Sequence, residues 1–239
     1  MFLSVIIPAY NEEKRLPKTL FEIDKYLRNQ SYEYEIIVVS DGSKDKTAET
    51  ADRLVSQIKN LKVVDNKQNH GKGYVVRQGM LLAEGQFRVF TDADNSTSID
   101  QIEKMIPQFE KGYDIVIGSR DIKGAVLSPP QPFFRVVLGN IFNLYTQVSI
   151  GLWGIWDTQC GFKGMTAKSA KAVLPRCRID RFAFDPEILK VGRKLGFKIK
   201  EVPVTWKNDL ASTVGIKSML KMALDLLKIR WNLIIGKYR

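Results

Sequence analysis

Short apolar runs and longer amphipathic stretches alternate along the first 120 residues. Leu3–Pro8 (LSVIIP), Tyr34–Val39 (YEIIVV), Leu61–Asp65 (LKVVD), Gln86–Thr91 (QFRVFT) and Tyr113–Gly118 (YDIVIG) are rich in Val and Ile. Runs of that length and composition predict strands buried on both faces. The stretches near 14–30, 46–59, 72–84 and 100–111 read as helices, and Gly112 ends the last. Ser43 or Asp45 is placed to cap the second of these, and Ser98 or Asp100 the fourth. Strand, helix, strand in strict succession predicts an α/β fold: a mostly parallel central sheet flanked by helices, Rossmann-like in layout. Ligands of such sheets bind beyond the carboxyl ends of the strands.

Those ends are where chemistry-bearing residues gather. The first run leads into Pro8-Ala9-Tyr10-Asn11-Glu12, the second into Ser40-Asp41-Gly42-Ser43, the fourth into Asp92-Ala93-Asp94 and the fifth into Ser119-Arg120. Asp92 and Asp94, one residue apart at a strand tip, form a seat for a hard divalent cation. Such a cation keeps several waters and is held by one or two carboxylates plus substrate phosphates, so the expected cargo is a diphosphate. The bland alternative is a helix N-cap. Phosphate-loop and dinucleotide fingerprints are absent. Gly71-Lys72-Gly73 resembles a phosphate-loop fragment with Tyr74 in the hydroxyl position, so Lys72 either faces a phosphate or only marks a helix entry.

Composition adds one asymmetry. The 239 residues carry a formal charge of +11, yet residues 1–162 hold 19 Lys/Arg against 20 Asp/Glu while 163–239 hold 18 against 6. A basic region of that kind seeks phosphate, in nucleic acid or on an anionic membrane. The length suits one α/β domain with elaborations. Cys160 and Cys177 lie far apart, with only His70 as an imidazole companion, which predicts neither zinc site nor disulfide and a reducing compartment. The N-terminus lacks the pattern of a signal peptide, so the expected location is the cytosol.

Two later segments concern a membrane. Residues 136–156 hold no charge over 21 positions, long enough to span a bilayer, but Asn140, Asn143, Gln147 and Gly151 recur at helical spacing. That polar stripe predicts an in-plane helix with Phe142, Tyr145, Leu152 and Trp153 toward lipid, ahead of a span or a buried helix. In 216–238, Lys217, Lys221, Asp225, Lys228 and Asn232 share one face, while Met219, Leu220, Ala223, Leu227 and Ile234 fall elsewhere. A basic amphipathic helix with Trp231 near its end suits an anionic membrane surface or packing on the domain.

VIIPAYNEE, VVSDGSKDKT, NHGKGYVVRQGMLLAEG, FTDADNST and IVIGSR, in this order, resemble the family 2 glycosyltransferases of GT-A fold. DTQCGFKGM and IKEVPVTW narrow the likeness to the dolichyl-phosphate glucosyl- and mannosyltransferase branch. The resemblance spans residue 3 to about 215 and implies a catalytic domain over 1–210. Residues 1–120 would bind nucleotide sugar, 121–210 would face the acceptor, and 211–239 would form the amphipathic helix. It implies that Pro8, Ala9, Tyr10, Glu12, Val39 and Asp41 hold the nucleoside, with Lys72 and Ala93 beside the donor. Asp92 and Asp94 would carry Mg²⁺ or Mn²⁺; Ser96 stands where mannose synthases offer a further glutamine ligand. Arg135 matches an arginine those synthases set on the lipid phosphate, although Gly139 replaces the accompanying serine. Lys207 follows Trp206 where the family often shows an arginine, and would touch a phosphate in its place; Ser212-Thr213 stands where a Ser-Lys pair is common, leaving Lys217 as the substitute. Asp157 lies in a loop that glucosyl-branch relatives set against the donor sugar, where it would orient a hydroxyl or the acceptor, or only cap the preceding helix.

The implied reaction is inverting hexose transfer, from UDP-glucose or GDP-mannose to a polyprenyl phosphate such as dolichyl phosphate. Attachment to the cytosolic membrane face would be peripheral. Departure of the nucleotide develops negative charge that a divalent cation stabilises. A lipid phosphate is already anionic at neutral pH and needs no base. Arginine suits it by bidentate donation, which makes Arg120 the first acceptor candidate, against a loop salt bridge. Two other readings stay open. One is a glycan or protein hydroxyl acceptor, for which Asp157 or another carboxylate must act as base. The other is a basic nucleic-acid-binding protein without catalysis.

Overall fold

The apolar runs pair into one sheet. A computed structural model describes residues 1–130, 133–207 and 216–239; the side chains of 133–135 and 216–217 lie outside that description. Strands β1 (Leu3–Ala9), β2 (Tyr34–Asp41), β3 (Leu61–Asn66), β4 (Phe87–Thr91) and β5 (Ile115–Ser119) form where the pattern puts them. A short β6 (Val126–Ser128) follows, then β7 (Phe162–Thr166), β8 (Ile199–Pro203) and β9 (Thr205–Lys207). The main sheet has the order β3-β2-β1-β4-β7-β5-β8, and β6 pairs with β9 apart from it. Every neighbour in the main sheet is parallel except β7, which runs antiparallel between β4 and β5.

Alternation along each strand feeds two cores. In β1, Leu3, Val5, Ile7 and Ala9 face one layer while Ile6 faces the other. The first layer is built from α1 (Leu16–Leu27), α2 (Thr47–Leu54) and α4 (Ile106–Glu110). The second holds α3 (Lys72–Leu82), α5 (Phe133–Ile150), α6 (Ala167–Val173), α7 (Phe184–Lys194) and α8 (Ile216–Ile234). Cover on both faces is why the strands read as continuous apolar runs.

Local chemistry moves some boundaries. The expected helix at 100–111 divides into a 3-10 turn, Ile99–Lys104, and α4, with Met105 between them. Pro107 has no N–H to continue the ladder, so the chain stops one helix and starts another there. The second helix ends at Leu54, short of the expected 59. Asp45 accepts the Thr47 amide at 3.0 Å, while Ser43 takes the amide of Asn11. Ser98 precedes the 3-10 turn, but its hydroxyl makes no capping bond.

The two later helices are oriented differently from the expectation. On α5 the polar positions Thr146, Gln147 and Ser149 are buried, and Phe142 and Tyr145 pack inward. Leu152, just past the helix, is fully buried; of the four residues assigned to lipid only Trp153 is exposed. The exposed apolar stripe is instead Val137, Ile141, Leu144 and Val148. On α8, Met222, Leu226 and Ile229 enter the core, and Asn232 is buried with them. Leu220, Leu224, Leu227, Trp231 and Ile234, spaced at i, i+4, i+7, i+11 and i+14, are exposed on the opposite side. The helix therefore has two apolar stripes, with Lys221 and Lys228 on the edge between them. It packs against α5, where the Tyr145 hydroxyl donates to the carbonyl of Ala223 at 3.3 Å and Arg230 to that of Ser149 at 3.1 Å. Among the described residues no helix is long and apolar enough to cross a membrane.

Candidate active site

The carboxyl ends of β1, β2 and β4 open onto a cleft of about 440 Å³. Its lining includes Pro8, Ala9, Tyr10 and Glu12 from β1 and its loop, Asp41 from β2, Lys72 from α3, and Asp92, Ala93 and Asp94 beyond β4. The nucleotide-sugar residues expected from sequence thus meet in one place, with a single exception. Val39 is fully buried under α3, against Gly79 and within the core, because it lies two residues short of the end of β2. Its side chain does not reach the rim.

Each acid in the cleft has a defined partner. Asp92 Oδ1 lies 2.5 Å from the Lys72 ammonium. Burial would lower the Lys72 pKa, but Asp92 and then Asp185 outweigh it, and the ammonium is held above its ordinary value. Asp94 Oδ1 accepts the Ser96 amide at 2.9 Å, a local turn that fixes the carboxylate. Asp41 accepts from the amides of His70 and Gly71, both at 2.8 Å, and from the Asn69 side chain at 2.9 Å. It therefore braces the loop ahead of α3. Glu12 is held by both ends of the Arg15 guanidinium at 2.7 Å. Gly161 stands directly behind Asp92, where a Cβ would overlap the carboxylate. Only glycine leaves that aspartate its position.

A second cluster forms behind β5. Asp157 Oδ2 accepts from the Arg120 amide at 2.9 Å and its Nε at 2.7 Å. Oδ1 accepts from Arg120 Nη2 at 2.9 Å and the Gln159 amide at 3.1 Å. The Asp157 side chain is 1% exposed. Burial would raise its pKa, but Arg120 more than reverses this and holds the carboxyl below the usual range. The guanidinium also lies 4.8 Å over the Trp206 ring. Four accepted hydrogen bonds leave Asp157 without a lone pair for a substrate proton, so it serves as counterion to Arg120 rather than as a base. Nearby, Lys163 and Asp185 form a buried pair at 2.7 Å.

Lys207 is brought to neither cluster. It lines a separate cavity of about 310 Å³ with Lys14, Lys18, Asp94 and Ser96, so Asp94 touches both spaces. Lys207 N donates to the Ser96 carbonyl at 2.7 Å, which ties β9 to the acidic loop. The side chains of Arg135 and Lys217, and Ser212 and Thr213 altogether, lie outside the described residues. Arg181 and Phe182, which sequence reasoning missed, complete the main cleft, and Trp206 under Arg120 was also unassigned. Arg181 and Phe182 precede α7, far along the chain, and no local motif marks them.

The model of glycosyl transferase family 2 matches residues 4–174. A dolichyl-phosphate beta-glucosyltransferase of Trichomonas vaginalis is 40% identical over 240 residues, covering 96% of this chain and 73% of that protein. The chain belongs to glycosyltransferase family 2. The dolichyl-phosphate beta-glucosyltransferase of Homo sapiens is 33% identical over 255 residues, covering 99% of this chain and 77% of its own. Among solved structures, glucosyl-3-phosphoglycerate synthase of Mycobacterium tuberculosis in complex with Mn²⁺ and uridine-diphosphate-glucose superposes with a TM-score of 0.70. Its identity is 16%, over 99% of this chain and 78% of that one. Mannosyl-3-phosphoglycerate synthase of Rubrobacter xylanophilus gives 0.69 at the same identity, over 99% and 75%. These likenesses establish the GT-A fold.

A family 2 glycosyltransferase of this fold raises the question whether its residues fit a divalent cation. Among the described residues no three acidic, His or Cys side chains converge on one point. The protein alone therefore offers a partial, all-oxygen shell: Asp92 and Asp94, with a cation (the Lys72 ammonium) already drawn to the first. That set fits Mg²⁺ or Mn²⁺, which complete their coordination with water and substrate phosphates, and does not fit a structural zinc.

Proposed function

We propose that this glycosyltransferase moves a hexose, with glucose from UDP-glucose favoured over mannose from GDP-mannose, to a polyprenyl phosphate such as dolichyl phosphate. The carrying observation is the pairing of the acidic cleft with a neighbouring arginine cluster in which the buried carboxylate, Asp157, is committed to Arg120 and is not free to act as base. A hydroxyl acceptor needs one; a phosphate acceptor does not. Asp185, the other acid near Lys72, is buried and tied to Lys163, so it offers no substitute. The relatives, dolichyl-phosphate beta-glucosyltransferases by name, point to the same acceptor.

In this reading the nucleoside lies between the β1 loop and Asp41, with Tyr10 presenting an exposed ring to it. Asp92 and Asp94 would hold Mg²⁺ or Mn²⁺, which supplies charge stabilisation for the departing nucleoside diphosphate. Lys72 adds positive charge from the α3 side of the cleft. Arg120, oriented by Asp157 and Trp206, faces the acceptor phosphate, with Arg135 as a further expected contact. The phosphate oxygen attacks the anomeric carbon opposite the leaving group, which inverts it. Membrane attachment is peripheral, at the cytosolic face. The exposed apolar stripes of α5 and α8 enter the interface, and Lys221 and Lys228 lie on anionic headgroups.

The test is transfer of radiolabelled hexose from UDP-glucose into an organic phase containing a polyprenyl phosphate, with Mn²⁺ present. Asp94→Asn is expected to lower the rate by about 100-fold, the scale of losing one preorganised electrostatic contact. Full activity of that variant, or of the wild type in excess chelator, would contradict the assignment.

A further inference from the structure

Glu187 of α7 is fully buried and gathers three donors from two directions. The Tyr238 hydroxyl donates to Oε1 at 2.5 Å. The amides of Arg178 and Ile179 donate to the same carboxylate at 2.9 Å and 2.8 Å. Tyr238 reaches α7 because the chain reverses after α8. Gly236 at φ 71° lets the Lys237 amide bond back to Asn232 at 3.0 Å and its own amide to Leu233 at 3.4 Å. The ring that returns is wholly buried, and Asn232 donates to its hydroxyl at 3.3 Å.

The two amides held by Glu187 begin the loop that enters the donor cleft. The next residue, Asp180, pairs with Arg77 at 2.5 Å, and its carbonyl accepts the Tyr74 amide of α3 at 3.2 Å. Arg181 and Phe182 then line the cleft, the ring 43% exposed. A second link runs from α8: burial raises the Asp225 pKa, while Lys228 and Arg181 oppose it, so Arg181 lies within electrostatic reach of that helix. A buried carboxylate is a poor way to fill a core, since well-packed apolar residues of similar volume stabilise as much or more. What Glu187 provides is direction: two of its donors are the amides where the loop starts, and the third, Tyr238, holds the carboxylate from the other side.

We propose that Tyr238 is a positioning residue for the donor, acting through Glu187 to set the loop whose Arg181 and Phe182 form one wall of the nucleotide-sugar cleft. Arg181 suits the diphosphate by charge-assisted donation, and Phe182 offers a second exposed ring, besides Tyr10, for the base. The inference rests on the reading of that cleft as the donor site.

The experiment compares wild type, Tyr238→Phe, Arg181→Ala and the double variant for UDP-glucose affinity with Mn²⁺ by calorimetry, and for transfer kinetics. Phenylalanine keeps the buried ring and removes only the hydroxyl donor. Tyr238→Phe is expected to weaken UDP-glucose binding and raise its KM about tenfold. The kcat and the KM for polyprenyl phosphate should be retained, and the Arg178 and Ile179 amides should exchange faster. In the Arg181→Ala background the same change should add little. Unchanged donor affinity in Tyr238→Phe, against a wild type that binds, overturns this inference alone. So does a general loss that affects both substrates and kcat alike, which marks a purely structural role. A wild type that binds no UDP- or GDP-sugar overturns the reading of the cleft as well.

Discussion

Asp157 accepts four hydrogen bonds in a place closed to water, and that decides what it does. Replacing it with Asn removes the charge that compensates Arg120, and breaking a buried pair from one side typically costs about 3 kcal/mol. Asp157→Asn is therefore expected to lower stability by roughly that amount in denaturant titrations. The pH dependence has a definite sign, because Arg120 depresses the folded-state pKa of Asp157. The pair's contribution is fully present above the ordinary carboxylate value near about 4 and is lost as pH falls through the lower folded value. The gap between wild type and variant should stay constant at neutral pH and narrow in acid; a gap that widens there would refute the pairing argument. At this scale the rim acids were legible because they end apolar runs. Arg181 and Phe182 were not: a side chain's entry into a cleft from a distant loop leaves no trace in local spacing. Val39 was misplaced for a related reason, since nearness to a strand end does not say which residue clears the core.

At the scale of elements, α5 and α8 show what periodicity conveys and what it leaves ambiguous. Helical spacing was evident in both, but each carries apolar side chains on two sides, and the pattern alone does not say which side the domain takes. On α5 Thr146, Gln147 and Ser149 turned inward while Asn140 stayed exposed, and Thr146 donates to the carbonyl of Phe142 and needs no water. Removing residues beyond about 214 would strip Met222, Leu226, Ile229 and Tyr238 from the core, so loss of membrane binding on truncation would report unfolding as readily as docking. Charge on the exposed stripes separates the two. Leu144→Glu and Leu224→Glu, more than half exposed at 58% and 65%, are expected to leave the melting temperature nearly unchanged. They should weaken binding to anionic liposomes at least several-fold. Undiminished binding would assign those stripes to another partner.

For the whole molecule, the alternating pattern of the first 120 residues was enough to predict the fold class, because βα repetition constrains topology strongly. It did not reveal β7, a five-residue strand whose sequence, FKGMT, is too short and polar to stand out, yet which completes the sheet between β4 and β5. An isolated fragment of residues 1–120 would leave β4 with an unpaired, fully buried-type edge and β5 detached from it, a template for association with other chains. Such a fragment is expected to self-associate and to bind no UDP-glucose, as sedimentation and calorimetry would reveal; a monomeric, binding-competent fragment would refute this. The consequence reaches into biosynthesis. Gly161, immediately before β7, backs the Asp92 carboxylate, so the first acid of the motif gains its final setting only after residues some seventy positions downstream have left the ribosome and threaded between strands made earlier. Until then a nascent chain carries the motif without the backing that fixes its first acid.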